Sequence, residues 1–396
     1  MWSATIAIAA LYIGTTVLTP LYPLYADTFG ISQLTITMVY AVYVVGNLSV
    51  LFLFGRLSDQ IGRRQTTLIA MGLTVVSTLI FLFASGAASL FVGRAVNGFA
   101  AGLGAAALTA WIAELEPRKD RSRAAVVASA GNLAGLAVGG VLSGFLAEYL
   151  PAPLRVVFVI YVAVLLVVGT RIFFVQETVE KRVRSIPELD LRPRIGVPAD
   201  IRLAFVAPAC MAFAAFALGG FFSALIPGII KQELHLANLA AIGVVVTIFF
   251  IAASLTAALT RKLTSWTAMF SGAVSVFPAV ALLSVAESER SLILLFVAAA
   301  AGGAAMALSY RGSLQVVNEI APQDKRAEIV SAYLLMCYLG NSLPVLGVGL
   351  LTTVLEPSLA HEIFAGVVAG LALAAIFAGA AARKRQRQRA HHPAHA

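Results

Sequence analysis

Long runs of apolar residues, separated by short polar connections, dominate this chain. They extend roughly over Trp2–Ala26, Leu34–Phe54, Thr66–Ala84, Ser89–Ala113, Ala124–Leu146, Val156–Phe174, Leu203–Ile229, Leu239–Leu259, Thr267–Val285, Ser291–Val317, Ile329–Val354 and Ile363–Ala382. An α-helix needs ~20 such residues to cross the hydrocarbon core of a bilayer. Because a helix satisfies its own backbone hydrogen bonds in lipid, the pattern predicts an all-α integral membrane protein with twelve transmembrane helices.

Composition excludes a soluble enzyme carried on one membrane anchor. The 396 residues are 60% apolar and 12% charged, against ~45–50% and ~25% in globular domains. The longest charge-rich interval, Gln176–Arg202, is too short to bury a core of its own. The sequence also shows no Ser/His/Asp arrangement, metal-ligand cluster or Walker-type phosphate loop. We therefore expect no enzymatic activity, metal, cofactor or ATP drive.

The net charge of +9 raises the possibility of a nucleic-acid partner, but its distribution indicates a membrane topology. With the N-terminus inside, 23 of the 28 Lys and Arg residues fall in inner loops and the basic tail 383–396. Short cytoplasmic loops carry this excess. The distribution predicts a multi-pass protein of the cell (inner) membrane with both termini cytoplasmic, in contact with lipid and not with nucleic acid.

The interval 176–202 divides the chain into two sets of six runs that repeat at an offset of 205 residues. The matched pairs are Glu114 and Glu319, Pro117 and Pro322, Arg121 and Arg326, Gly98 and Gly303, Gly135 and Gly340, and Gly144 and Gly349. The repeat predicts two pseudo-symmetric six-helix bundles, 1–175 and 203–382, joined by a cytoplasmic linker. Duplicated bundles of transporters place their site at the repeat interface.

Polar and aromatic side chains are concentrated in the first, second, tenth and eleventh runs. At membrane depth such side chains face a wet cavity or other protein groups. We therefore predict a central cavity that binds a small molecule, lined from both halves. The predicted substrate-binding residues are Tyr12, Tyr22, Tyr40, Tyr43, Asn47, Tyr310, Arg311, Gln315, Tyr338 and Asn341. The tyrosines favour a flat, partly apolar substrate.

Arg311 lies inside the tenth run, about two helical turns from Glu319. Three interpretations remain open for an arginine at that depth. It binds an anionic substrate, it exchanges partners during a transport cycle, or it pairs permanently with an acid such as Glu319.

After the second run stands Gly55-Arg56-Leu57-Ser58-Asp59-Gln60-Ile61-Gly62-Arg63-Arg64. This segment resembles the inner-loop signature of the major facilitator superfamily. The resemblance implies the twelve-helix fold of that family and a latch, formed by Gly55, Asp59, Gly62, Arg63 and Arg64, that joins the halves when the outside is open. Its acid would contact the eleventh helix near Arg326, since a carboxylate is stabilised near a helix N-terminus.

In the fourth run, Arg94, Gly98 and Gly102 share one helical stripe. They resemble the family's Arg-x-x-x-Gly motif, whose arginine is linked to proton transfer; a structural arginine is the alternative. Asp27, near the outer end of the first run, is a second hypothetical coupling group, with Arg94 as its partner; an exposed loop acid is the alternative. For Glu114 and Glu319, at matched helix ends, we expect a role in gating or capping.

The fifth run contains Gly131, Gly135 and Gly139 on one face. The segment resembles the Gly-Pro-x-x-Gly-Gly element of proton-driven drug exporters in the superfamily, with Leu136 in place of the proline. Close helix packing alone would produce the same stripe.

The sequence therefore favours a monomeric secondary transporter that resembles the drug/metabolite:proton antiporter branch. Its expected activity is proton-coupled efflux of a drug or metabolite by alternating access. Two alternatives stay open: an inward symporter or facilitator for a small metabolite such as an organic acid, and a non-transporting membrane sensor or scaffold.

Overall fold

The computed structural model describes residues 1–55, 57–180 and 195–391. Within these residues, twelve helices are long and apolar enough to cross a membrane, which confirms the predicted fold class. The spans, numbered α1 to α12 in chain order, are Trp2–Phe29, Gln33–Phe54, Arg63–Leu82, Ala87–Glu114, Arg123–Tyr149, Pro153–Phe173, Arg202–Ala224, Leu239–Leu259, Ser265–Ser288, Leu292–Ile320, Arg326–Leu351 and Pro357–Lys384. Short helices Leu57–Ile61 and Ile226–Gln232 lie between spans.

Because the number of spans is even, residue 1 and the end of α12 lie on the same face of the bundle, which we call the terminal face. The opposite end is the distal face. Helix α1 is not continuous: its pieces are Trp2–Thr16, Thr19–Leu21 and Tyr22–Phe29. Pro20 and Pro23 lack the amide hydrogen that a continuous helix would use. The break allows the last piece to follow its own direction at the distal face.

The two halves are built alike. Span α4 packs against α2 and α3, and α10 packs against α8 and α9 in the same way. A Cβ added to Gly98 would collide with the backbone carbonyl of Tyr43, and one added to Gly303 with that of Phe249. Gly135 and Gly340 likewise face the backbones of α1 and α7. The glycine repeats in the sequence therefore correspond to repeated helix contacts.

The halves join along two helix pairs, α5 with α8 and α2 with α11. Gly140 and Gly144 of α5 lie against the backbone of Gly243 in α8. Across the pseudo-twofold axis, Gly349 of α11 lies against Thr37 of α2. All of these positions are in the distal half of their spans, so small residues allow the backbones to meet there.

Toward the terminal face, α2 borders open space. Val45, Leu48 and Ser49 line a recess of about 560 Å³ with Phe52, Leu53 and Ile195. The cytoplasmic linker and basic tail remain predictions, as do the domain boundaries. Lys181, Arg182, Arg184, Arg192 and Arg194 of the linker lie outside the described residues, as does residue 56 of the inner-loop motif.

Candidate functional site

Four of the predicted tyrosines meet near the middle of the membrane. The tyrosine quartet consists of Tyr12 and Tyr43 from the first half and Tyr310 and Tyr338 from the second. Tyr338 packs against the Tyr43 cluster across the interface, and its ring lies 6.5 Å from that of Phe216. The ring of Phe216, a residue that the sequence did not suggest, meets Tyr310 edge-on at 5.4 Å. The quartet is therefore an aromatic and hydroxyl-rich surface shared by both halves.

Polar side chains of the first half orient the quartet. Asn47 donates from Nδ2 to the Tyr43 hydroxyl at 3.2 Å, and the Thr15 hydroxyl lies 3.5 Å from the same oxygen. Asn132 of α5 interacts with the Tyr12 hydroxyl. Asn47 thus holds a substrate-binding candidate in place, whereas Asn132 was missed because only its glycine neighbours were considered.

Arg94 lies directly next to the quartet and is completely buried. Its guanidinium carbon is 5.9 Å from the ring centroid of Tyr22, 5.5 Å from that of Tyr40 and 5.4 Å from that of Tyr43. We call Arg94 with these three rings the arginine cage. The guanidinium donates to the Thr15 carbonyl at 3.0 Å and to the Tyr22 hydroxyl at 2.7 Å. Each ring face attracts the cation electrostatically.

Gly98 and Gly102 explain how the cage is built. Both face α2, against the Tyr43 backbone and the side chains of Asn47 and Val50. With no Cβ at these positions α4 approaches α2 closely, and Arg94 on the same stripe reaches the tyrosines of α2. The motif therefore acts at least as a packing device, and its role in proton transfer stays a prediction.

Tyr40 connects the cage to the second half. Its hydroxyl donates to Asn341 Oδ1 at 3.1 Å, and Ser223 of α7 interacts with the same hydroxyl. Tyr40 is buried and Asn341 is half-buried, and the sequence analysis named both as candidates. Their bond spans the interface just on the distal side of the quartet.

Arg311 does not reach the quartet. Its guanidinium donates to the backbone carbonyls of Thr260 and Arg261, the latter at 2.6 Å, where α8 ends. Glu319, the acid proposed as its permanent partner, instead accepts a hydrogen bond of 2.5 Å from Ser265. Arg311 therefore caps the negative end of α8, and the predicted Glu319 pair is not formed. Gln315 is half-buried, and its Oε1 has no hydrogen-bond partner in the described part of the chain.

Asp27 and Arg94 are also not brought together. Asp27 lies on the last piece of α1, exposed at the distal rim, and pairs with Lys231 of the second half. Glu148, at the distal end of α5, accepts the backbone N–H of Leu239 at 2.7 Å. This carboxylate sits at the N-terminus of α8, where the helix dipole is positive. Both contacts cross the interface and hold the distal face closed.

The inner-loop motif forms a charge network within the first half. Arg63 is buried and binds Asp59 at 2.5 Å, Glu114 at 2.9 Å and Ser58 at 2.6 Å. Gly62 precedes it with a φ of 110°, a conformation that favours glycine. Arg64 points to Phe173, 6.0 Å from its ring. The predicted Asp59 contact with α11 belongs to a state in which the distal face is open, so it stays a prediction.

Glu177 attaches the start of the linker to this network. Its carboxylate accepts the backbone N–H groups of Arg63 at 2.9 Å and Arg64 at 3.1 Å, at the N-terminus of α3. Burial raises the pKa of Glu177, but hydrogen bonds from backbone N–H groups lower it more, so the pKa lies below its usual value of 4.5. Glu114 also receives a hydrogen bond from Thr178.

One buried titratable pair escaped the sequence analysis. His361 Nδ1 lies 2.6 Å from Glu287 Oε1, and both side chains are only 9% exposed. The pair joins α9 to α12 near the distal face. A single His and a single Glu, 74 residues apart, carry no signal in the sequence.

Comparisons with known proteins agree with this geometry. The family model described as Major Facilitator Superfamily matches residues 4–345. Multidrug resistance protein 2 of Bacillus subtilis (strain 168) is 24% identical over 168 residues, covering 42% of this chain and 41% of that protein. Quinolone resistance protein NorA of Staphylococcus aureus is 25% identical over 140 residues, or 35% and 36% of the two chains. The chain thus matches well under half the length of these relatives.

The fold also resembles solved transporter structures. A bacterial homologue of the human lysosomal transporter Spinster, in an inward-facing and unoccupied conformation, has a TM-score of 0.69 at 16% identity, with 96% of this chain and 94% of that one covered. The occupied conformation of the same homologue gives 0.66. Since the family model extends over most of the twelve spans, this chain belongs to the Major Facilitator Superfamily of transporters.

Proposed function

We propose that this protein exports a small organic molecule by proton-coupled alternating access. One observation carries the proposal. The halves are sealed against each other on the distal face, while the tyrosine quartet that they share lies at mid-membrane, toward the terminal side of that seal. A binding surface at a repeat interface, closed on one side, is the arrangement that rocking-bundle transporters use.

Membrane orientation completes this proposal. The excess of Lys and Arg in the loops of the terminal face supports a cytoplasmic terminal face in the cell membrane. The conformation is then inward-facing, as in the Spinster homologue. The names of the two drug-resistance relatives support efflux as the direction. Such a carrier acts as a monomer in lipid and performs no covalent chemistry.

The decisive experiment compares right-side-out and inverted vesicles with a panel of labelled compounds. Efflux predicts accumulation in inverted vesicles when their interior is acidified, and loss of accumulation when a protonophore collapses the gradient. Vesicles without the protein provide the background. Uptake that is unaffected by the protonophore would contradict proton coupling.

A second function, inward symport or facilitated uptake of an anionic metabolite, is favoured by the buried positive charge of Arg94. It predicts accumulation in right-side-out vesicles instead. A sensor or scaffold predicts no flux in either orientation.

A further inference from the structure

Arg94 is a buried cation that no acid of the described chain neutralises. Its side chain is inaccessible, its partners are a carbonyl, a hydroxyl and three aromatic rings, and its Nε has no hydrogen-bond partner. A charged group in a low-dielectric site is costly unless an opposite charge or several hydrogen bonds compensate it. The cage compensates only in part.

The described spans supply no opposite charge near the middle of the membrane. Every carboxylate in the described spans lies within six residues of a span end. Asp27 pairs with Lys231, and Glu287 lies against His361. The described part of the interior is therefore positive around the arginine cage, which attracts anions and repels cations.

The cage is also continuous with the quartet. Tyr43 belongs to both groups: its ring centroid lies 5.4 Å from the Arg94 guanidinium carbon, and Tyr338 packs against the cluster that Tyr43 forms with Val44 and Ala101. A ligand that stacks against Tyr43 on the quartet side is therefore separated from the Arg94 guanidinium by that one ring. Arg311 offers no such contact, because its guanidinium already binds the carbonyls at the end of α8.

We infer that the transported compound is a planar organic anion whose acid group binds Arg94 while its aromatic part stacks within the tyrosine quartet. Tyr43 must swing aside for the acid group to reach the guanidinium. Anion binding then supplies the missing counter-charge. That the anion is transported rests on the proposed function. That it binds at this site does not, and can be tested separately.

The test measures binding to the purified, detergent-solubilised protein by ligand-induced thermal shift at pH 7.5. The probes are benzoate, salicylate and indole-3-acetate, each paired with its neutral amide. Each pair keeps the ring and changes only the charge. We expect at least one acid to bind about ten-fold or more tightly than its amide, as a charge-assisted contact would provide. Equal binding, or no binding, of all acids and amides overturns the inference.

Variants locate the contact. Arg94→Gln should remove the preference for the acid, and Arg94→Lys should retain part of it because the charge remains. Arg311→Gln is the control: it removes an arginine of another span, which caps the end of α8, and should keep the full preference. If Arg94→Gln keeps the preference, or Arg311→Gln abolishes it, the assignment is wrong. If Arg94→Gln does not fold, the acid–amide comparison on the wild-type protein still tests the preference for an anion, and Arg94→Lys tests the contact.

Failure of the site and failure of the function give different results. Acid-selective binding without gradient-driven flux would leave the anion site intact and contradict the transporter proposal. Flux of neutral or cationic compounds without acid-selective binding would leave the transporter proposal intact and contradict the anion site.

Discussion

The distal and terminal faces of this protein use charge in opposite ways. On the distal face, the carboxylates of Asp27 and Glu148 reach across to Lys231 and to the N-terminus of α8. On the terminal face, Asp59 and Glu114 both bind Arg63 of their own half. The difference indicates which face is closed. Charges join the halves where the backbones meet, and each half satisfies its own charges where the backbones separate.

Backbone contact, more than charge, should dominate the distal seal. A Cβ at Gly243 would lie 2.5 Å from the carbonyl oxygen of Gly140, so Gly243→Leu should wedge α8 away from α5. Overpacking typically costs 1–3 kcal/mol, which corresponds to a shift of about five- to 150-fold in the conformational equilibrium. We expect loss of transport and faster distal labelling of a cysteine placed at Thr37.

The matched control for that variant is Gly366→Leu, since Gly366 is exposed on α12 and an added Cβ meets nothing within 4 Å. The native Cys210 and Cys337 are replaced first. Normal transport and labelling by Gly243→Leu would show that the seal does not depend on this backbone contact.

Asp59 tests whether the terminal face has a latch of its own. In the present conformation Asp59 is exposed and binds Arg63, so Asp59→Asn should leave this state intact. It should weaken the opposite state, in which the acid is expected at α11, by the 0.3–1 kcal/mol typical of a helix-terminus charge, up to about 2.

We expect transport to fall about two- to five-fold, and up to about 30-fold at the upper limit, and labelling of a cysteine at Ser49 from the terminal side to rise. Asp200→Asn, another exposed acid of the terminal face, is the control. A normal transport rate with unchanged labelling would show that Asp59 is not part of a latch.

Lys231 and Asp27 test the charged rim of the distal face. The pair is exposed, so solvent limits its contribution to 0.2–1 kcal/mol. Lys231→Glu should therefore raise distal labelling at Thr37 by less than about five-fold. The double variant Asp27→Lys with Lys231→Glu should restore the wild-type value, and high salt should reduce the difference. If the double variant does not restore wild-type labelling, the Lys231–Asp27 pair does not contribute to closure of the distal face.

Replacing Glu177 should have the smallest effect of these changes, and the loss of stability should be confined to the first half. Because its pKa in the folded protein is lowered, the carboxylate stabilises the fold above its ordinary pKa and that contribution disappears as the pH falls toward 4 and below. Thermal unfolding should show a pH-dependent loss that Glu177→Gln lacks. Distal labelling at Thr37 should not change; a change would mean that the terminal network communicates with the seal.

The sequence was sufficient for the spans and the twofold repeat, because run length, offset and polarity can be read along the chain. The four tyrosines of the quartet were among its candidates, together with other polar and aromatic residues, and their role in substrate binding stays a prediction. It was not sufficient for Arg311. Spacing along α10 suggested Glu319, whereas the nearest negative group is the end of a different helix, α8. The expected pair of Asp27 with Arg94 is not formed for a related reason: Asp27 lies exposed on the last piece of α1, next to Lys231 of the other half.

For Arg94, the sequence predicted one part of the surroundings and not the other. Its stripe with Gly98 and Gly102 was legible in the sequence, and the glycines do face α2. The three rings around the guanidinium come from two other spans, and the lack of a nearby acid is a property of the whole assembled interior. Neither could be read from one helix.

The glycine contact between α5 and α8 has a consequence for the environments in which the carrier can work. Two bare backbones pressed together have no group that titrates and no ion pair that dissolved salt can screen. This glycine contact should thus be indifferent to the acidity and salinity of the fluid beyond it. Dissolved salt would act instead on the charged contacts of the distal face, Lys231 with Asp27 and Glu148 with the N-terminus of α8.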